Sequence, residues 1–274
     1  LRRKGVAATF FLTSSVLDNR NWCFEDQLAL LRRGLETATG EPRRAAETIA
    51  SREGVDLEPI RKPSPRTFGA AAAEEKGQAG RSCSHAALSA CPAQEGLSDT
   101  LLVGGRERVC ARRPGLLDAL GEVLGMDWKQ ELAARRPYLS SDHVRGLLKD
   151  GFTIGSHSLD HPRYEDMSLE EQIRQTREST DVICRQFGLS YRAFAFPYGD
   201  FGVSRAFFES VIGGGIVDIC FGTRGLIGDE FGPRVVQRLW CEQAGCALQQ
   251  HVRGELAEKI IRRLAGSDCV VRRT

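Results

Sequence analysis

Long apolar runs are missing from this chain. No segment approaches the roughly 20 apolar residues that a membrane-spanning helix needs. Charge of one sign is missing too: the formal net charge is +2 over 274 residues, which calls for neither nucleic acid nor an acidic membrane. Pairs such as Arg112-Arg113 and Arg272-Arg273 read as solvated faces or tail. No C-x-x-C occurs among the nine cysteines, so a zinc ribbon or a thioredoxin-like site is not expected. Their odd number and scatter fit a reduced compartment better than a disulfide scaffold, which favours the cytoplasm. The first residue is Leu1, and Leu1-Arg2-Arg3-Lys4 is followed by Thr9, Thr13, Ser14 and Ser15. Those hydroxyls interrupt any signal-peptide core, so a strand is the better reading. A hydrophobic content of 41% with 27% charged residues is ordinary for a globular chain.

What is present alternates. Residues 5–12 read as a buried strand, followed by a helix through Phe24 to Leu31. From about 40 to 114 neither helical nor strand period is visible, and this stretch is read as an irregular insertion within a single domain spanning 1–274. Order returns at Gly115 with helical spacing of Leu116, Leu117, Leu120 and Val123. Ser140-Ser141-Asp142 caps a further helix through Val144, Leu147 and Leu148, which Gly151 stops. A strand at 152–156 follows. Ser168-Leu169-Glu170-Glu171 is a capping-box pattern opening a helix through Ile173, Thr176, Thr180, Ile183 and Phe187, closed by Gly188. A strand at 193–196, a helix at 203–212 and a strand at 216–221 complete the alternation. Such a βα series predicts a mainly parallel α/β sheet or barrel, with site loops gathered at the strands' carboxyl ends.

Two of those loops carry chemistry. Gly155-Ser156-His157-Ser158-Leu159-Asp160-His161-Pro162 delivers two of the five histidines from one strand end. Neutral imidazole is the commonest metal ligand, so the pair can fix two corners of a coordination shell. The second loop is Phe196-Pro197-Tyr198-Gly199-Asp200. Trp22, Trp128 and Trp240 can stack on sugar faces, with core packing as their ordinary role. His143, His85 and His251 read as bystanders.

Together, "GVAATFFL", "GSHSLDHP" and "FAFPYGD" in this order resemble the polysaccharide deacetylase family, the NodB-homology group of metal-dependent amidohydrolases. The H-S/T-x-x-H-P motif is matched by His157, Ser158, His161 and Pro162, and the P-Y-G motif by Pro197, Tyr198 and Gly199. The resemblance implies a distorted, incomplete (β/α) barrel. It implies removal of acetyl groups from N-acetylated sugars of a polysaccharide or glycan by a divalent metal, zinc above all, held by His157 and His161. It also implies an oxyanion contact from the Tyr198 backbone N–H, a substrate-facing turn at Pro197 and Gly199, and a place for Asp160 behind the ligands, orienting an imidazole. Carbohydrate is the implied partner, and no nucleic acid, membrane span or obligate protein partner is expected. The family's Asp-Asp pair, one carboxylate a base and the other a metal ligand, has no counterpart before Ala8-Thr9-Phe10-Phe11, so a chain lacking the family's first strand is expected. Ala195 stands where the family commonly has arginine, and the late Leu-x-His has no clear match. A non-catalytic, deacetylase-like carbohydrate-binding or vestigial domain is the alternative, and a purely structural role for the histidines a weaker third.

Overall fold

A computed structural model describes residues 1–55, 57, 101–103, 107–109, 115–239, 241 and 247–273. The chain runs through β1 (Thr9–Leu12), α1 (Phe24–Thr37), α2 (Gly40–Arg52), β2 (Leu101–Val103), β3 (Glu107–Val109), α3 (Leu116–Val123), α4 (Trp128–Arg135), α5 (Ser141–Lys149) and β4 (Thr153–Ser156). It continues through α6 (Leu169–Phe187), β5 (Ala193–Ala195), α7 (Arg205–Phe208), β6 (Ile219–Gly222), β7 (Gly228–Asp229), β8 (Val235–Gln237), α8 (Leu248–Leu264) and β9 (Cys269–Val270). No helix among the described residues is long and apolar enough to cross a membrane. The chain divides into two compact units, one of residues 1–24, 128–239 and 255–274 and one of 25–127 and 240–254.

The first unit is built on a five-stranded sheet in the order β1-β4-β5-β6-β8, every neighbouring pair parallel. The α/β class and parallel sheet expected from the βα alternation are therefore present. The pairing stops short of the barrel: among the described residues β1 and β8 each have one neighbour in this sheet. β7 and β9 form a separate parallel pair. Gly155 is dictated by the sheet, because a Cβ there would sit 2.5 Å from the Phe11 ring.

Two apolar clusters cover the sheet. Leu12, Leu17, Val144, Ile154 and Ile183 form the smaller one. The larger is aromatic: Phe196 packs with ring centroids 5.2 Å from Tyr164, 5.0 Å from Phe194, 5.5 Å from Phe207 and 5.7 Å from Phe208. Cys220 is buried in this cluster, and burial pushes its thiol pKa up.

Helix ends follow their sequence signals. Ser168 Oγ accepts from the Glu171 N–H at 3.3 Å, and Gly188 closes α6 in the left-handed region at φ 64°. At α5 the box is completed by a histidine. Ser140 Oγ accepts from the His143 N–H while His143 Nδ1 accepts from the Ser140 N–H, both at 3.2 Å. His143 is thus a helix cap. α6 differs from expectation in one respect: its inner face is polar, with Gln172, Gln175, Thr176, Ser179 and Thr180 all buried.

In the second unit, α1 buries Leu28, Leu31 and Leu35, and α3 buries Leu116, Leu117 and Leu120. β2 and β3 pair antiparallel. α2 falls in the stretch expected to be irregular. Its buried positions are Ala46 and Ala50, side chains too small to register as an apolar stripe. Residues 58–100, most of the expected insertion, lie outside the described residues.

A buried charge cluster ties the loop after β5 to the end of the chain. The Arg272 guanidinium donates to Asp200 Oδ2 at 2.6 Å, to the Asp200 carbonyl at 3.1 Å and to Asp229 Oδ2. The side chains of both carboxylates are fully buried, and that of Arg272 is 1% exposed. Gln237 Nε2 donates to both carboxylates at 3.0 Å, and Thr223 N–H donates to Asp200 Oδ1 at 3.1 Å. Burial pushes the Asp200 carboxyl up, but Arg272, then Arg224, outweigh it, and the group is held below its ordinary value of 3.8. The guanidinium also lies over the Phe208 ring at 4.1 Å, so the cluster is continuous with the aromatic core.

Phe196→Ala should lower unfolding free energy by about 3–5 kcal/mol in a denaturant titration, the range for emptying a large aromatic from a closed core. Arg272→Met strands two buried carboxylates and should cost about 3–5 kcal/mol. Because the folded Asp200 is more acidic than the unfolded one, its contribution is complete above pH 3.8 and is lost as pH falls from there toward its own lowered value. Melting temperature measured between pH 6 and 2 should show that loss in the native chain and much less of it in Asp200→Asn.

Candidate metal centre

Parallel pairing sends the loops after β1, β4, β5, β6 and β8 to one edge of the sheet, and the sequence-predicted residues arrive there by separate routes. The loop after β4 carries both histidines. β1 and β4 pair up to Leu12 and Ser156, and the contact continues past the strands. His157 N–H donates to the Leu12 carbonyl at 2.9 Å, Ser14 N–H to Ser158 at 3.2 Å and Ser15 N–H to Leu159 at 3.1 Å. The loop after β1 therefore runs alongside the histidine loop.

His157 is fixed by the next strand. Its Nδ1 lies 2.7 Å from the carbonyl oxygen of Ala195. A carbonyl can only accept, so Nδ1 carries the hydrogen and Nε2 of the neutral ring keeps its lone pair for a metal. At the position where the resemblance leads one to look for an arginine side chain, this chain uses a main-chain oxygen. The His161 ring lies 5.0 Å from that of His157, centroid to centroid. His161 adopts φ 59° and Ser158 φ 68°, and Ser158 Oγ accepts from the His161 N–H at 2.9 Å. This bond spans the three residues that turn the loop.

α6 braces the loop from behind with its polar face. Gln175 Oε1 accepts from the backbone N–H of Leu159 at 3.0 Å and of Asp160 at 3.3 Å, while its Nε2 donates to Asp160 Oδ2 at 3.1 Å. Ser179 Oγ meets Ser156 Oγ at 2.6 Å, and Gln172 Nε2 donates to the Tyr164 carbonyl at 2.6 Å. Asp160 is itself exposed, held by Gln175. The Tyr164 hydroxyl pairs with Thr176 at 2.9 Å, and burial pushes its pKa up.

The Pro197-Tyr198-Gly199 turn reaches the same place from β5. Pro197 is buried, whereas Tyr198 and Gly199 are half-buried. Tyr198 adopts φ 55°, and Gly199 N–H donates to the Pro197 carbonyl at 2.5 Å. A Cβ at position 199 would meet Thr223 Oγ1 at 2.5 Å, so the turn needs its glycine. The Tyr198 ring stands 4.9 Å from that of His161, with the Arg163 guanidinium 4.5 Å over its centroid. The adjoining Asp200 is the one locked by Arg272.

Two groups here were not singled out from sequence. Arg238, just after β8, donates to the carbonyls of Gly222 and Phe196, both at 3.1 Å, and desolvation lowers its pKa. Cys23, on the loop after β1, places its Sγ within 4.8 Å of a ring nitrogen of His161. No spacing pattern links it to the histidines, and only the sheet brings them together. Trp22 and Trp128 pack edge to face with centroids 6.2 Å apart, and Trp22 Nε1 donates to the Trp128 carbonyl at 2.8 Å. Trp240 and His85 lie outside the described residues.

No curated protein matches the chain. A solved structure described as IcaB from Ammonifex degensii is similar at 17% identity and a TM-score of 0.33, covering 43% of this chain. The match spans about half (53%) of that structure's length. The sequence model described as polysaccharide deacetylase matches residues 123–207. That stretch holds His157, His161 and the Pro197-Tyr198-Gly199 turn, and over it the chain matches that family.

Proposed function

We propose that this protein is a metal-dependent hydrolase that removes acetyl groups from N-acetylated sugars of a polysaccharide or glycan. The observation that carries the reading is the histidine pair at the carboxyl end of β4, with His157 locked through Nδ1 onto Ala195 and the two rings 5.0 Å apart. Imidazole nitrogens held by a braced loop suit zinc, with cobalt or iron as weaker fits. When bound, such an ion polarises an amide carbonyl and acidifies water.

The chain's own residues then have distinct tasks. His157 and His161 hold the ion. Gln175 and Asp160 keep the loop that carries His161 in place, the supporting role assigned here to Asp160. The Tyr198 backbone N–H is the proposed donor to the oxyanion of the tetrahedral intermediate. Pro197 and Gly199 shape the turn that presents it to substrate. The Tyr198 ring, backed by Arg163, offers an aromatic wall for a sugar face. The family's (β/α) barrel is the architecture inferred around the five strands, and carbohydrate is the partner.

Ala195 stands where the family resemblance leads one to expect an arginine, and this favours a second reading, a carbohydrate-binding domain without turnover. One experiment separates the two. The full chain, loaded with zinc and given N-acetylglucosamine oligomers, should release acetate. His157→Ala and His161→Ala should each abolish both tight zinc binding and acetate release, with circular dichroism checking that the variants fold. Stoichiometric zinc with oligomer binding but no acetate would support the binding domain. Zinc uptake unaffected by both substitutions would end the metal-site reading.

A further inference from the structure

We propose that Cys23 is a third protein ligand to the ion held by His157 and His161, so that a thiolate joins two imidazoles in this chain. The inference rests on the metal-site reading above and assigns a residue that the family pattern does not contain. Its first support is distance. Cys23 Sγ and a His161 ring nitrogen lie within 4.8 Å of each other. Tetrahedral bonds of about 2.3 Å to sulfur and about 2.0–2.1 Å to nitrogen place those two atoms roughly 3.5 Å apart. A modest side-chain adjustment therefore lets Cys23 and His161 share one ion.

The second support is the way the loop from β1 delivers Cys23. Asp18 and Asn19 both adopt left-handed backbone, at φ 62° and 57°, a conformation unfavourable for residues other than glycine unless its surroundings enforce it. Here they do. Asp18 accepts from the Ser141 N–H at 2.5 Å and from its hydroxyl at 2.6 Å. Asn19 exchanges a pair of hydrogen bonds with the Tyr138 backbone, at 3.0 and 3.1 Å. The Cys23 N–H itself donates to Tyr138 Oη at 2.8 Å. Upstream, Ser14 and Ser15 are hydrogen-bonded to the histidine loop. The backbone at Cys23 is therefore pinned in the same frame as His161, as a preorganised ligand requires.

The third support is chemistry. Cys23 is half-buried, so an ion can reach it. Catalytic zinc sites take both sulfur and nitrogen ligands, three in all, and keep one position open. On binding, the S–H bond breaks, a sulfur–metal bond forms and the proton leaves to solvent, so affinity should rise with pH.

Cobalt(II) provides the readout, because a thiolate ligand adds an intense near-ultraviolet charge-transfer band that imidazoles do not. The reduced full chain titrated with cobalt should develop this band and saturate at one equivalent. Cys23→Ser should still bind cobalt but lack the band. Its zinc affinity should fall by more than the roughly 10–100-fold typical of losing an outer partner of a ligand. As a check that needs no variant, zinc should protect the Cys23 peptide from iodoacetamide in mass spectra, while the exposed Cys241 and Cys269 continue to react. Cobalt bound through the histidines without a sulfur band, or alkylation of Cys23 at equal rates with and without zinc, would overturn the proposal and leave the metal-site reading standing. No cobalt uptake at all would remove both.

Discussion

Five strands that all run the same way must present their carboxyl ends along one edge, and the remaining features of the first unit are consequences of that edge. β4 brings His157 and His161 to it, β5 brings Pro197, Tyr198 and Gly199, β6 brings Thr223 and Arg224, and β8 brings Gln237 and Arg238. The loop after β1 adds Cys23. None of these segments is near the others in sequence except through the sheet. Parallel strands need crossover connections, and here α6 supplies the one between β4 and β5. That helix begins directly after the histidine loop, so its inner side chains face the loop it has just left. This accounts for the polar face: Gln172, Gln175, Thr176 and Ser179 satisfy the backbone and side-chain groups of residues 156–164 that the sheet leaves unpaired. An apolar face would pack the helix equally well and leave those groups without partners, at about 1–3 kcal/mol each.

The buried cluster around Arg272 solves a different problem. A carboxylate–guanidinium–carboxylate set removed from water gains little net stability over apolar residues of equal volume, because desolvation offsets the attraction. Its value lies in position. Arg272 reaches one carboxylate on the turn after β5 and another on β7, while Gln237 from β8 bonds both. Gly222 makes room, since a Cβ there would lie 2.6 Å from the Asp200 carboxyl and 2.3 Å from Gln237 Oε1. Each group has one set of partners, so the turn that contains Tyr198 has one resting place. β9 and the residues after it are drawn in by the same contact: Arg272 N–H donates to Glu230, and the Arg273 carbonyl accepts from Arg205 N–H, both at 2.8 Å.

Local signals in the sequence carried a good part of this fold. Ser140, Ser168 and Gly188 mark helix ends by hydrogen bonds made within a few residues, and such bonds depend on little else. Apolar spacing located α3, α5 and α6 for the same reason. α2 escaped because alanines pack it, and the polar inner face of α6 escaped because glutamine and serine read as solvent-facing until a loop is laid against them. The two loops that carry the histidines and the Pro197-Tyr198-Gly199 turn were legible as short motifs. Their relation to Cys23, to Arg272 and to the Ala195 carbonyl was not, since each is a contact across dozens of residues with no periodic signature. The carbonyl that fixes His157 belongs to the main chain, and no side-chain motif can announce it.

Backbone strain marks the same residues independently. Ser158, His161 and Tyr198 all have φ between 55° and 68°, a region where glycine is at ease and other residues cost about 1–3 kcal/mol. Glycine would serve conformation at each position, yet each bears a side chain that the arrangement uses. Ser158 Oγ accepts from the His161 N–H, His161 presents its imidazole, and Tyr198 lays its ring beside that imidazole and beneath Arg163. The strain is sustained by contacts that lie outside the loops: the paired backbone of residues 12–15, the Gln175 amide and the locked Asp200. Relaxing any of these would let the left-handed residues fall back to ordinary conformations and carry the imidazole and the ring away from each other. The surrounding sheet, the polar helix face and the buried charges thus have a common physical effect, which is to hold three energetically unfavourable residues together at one strand edge.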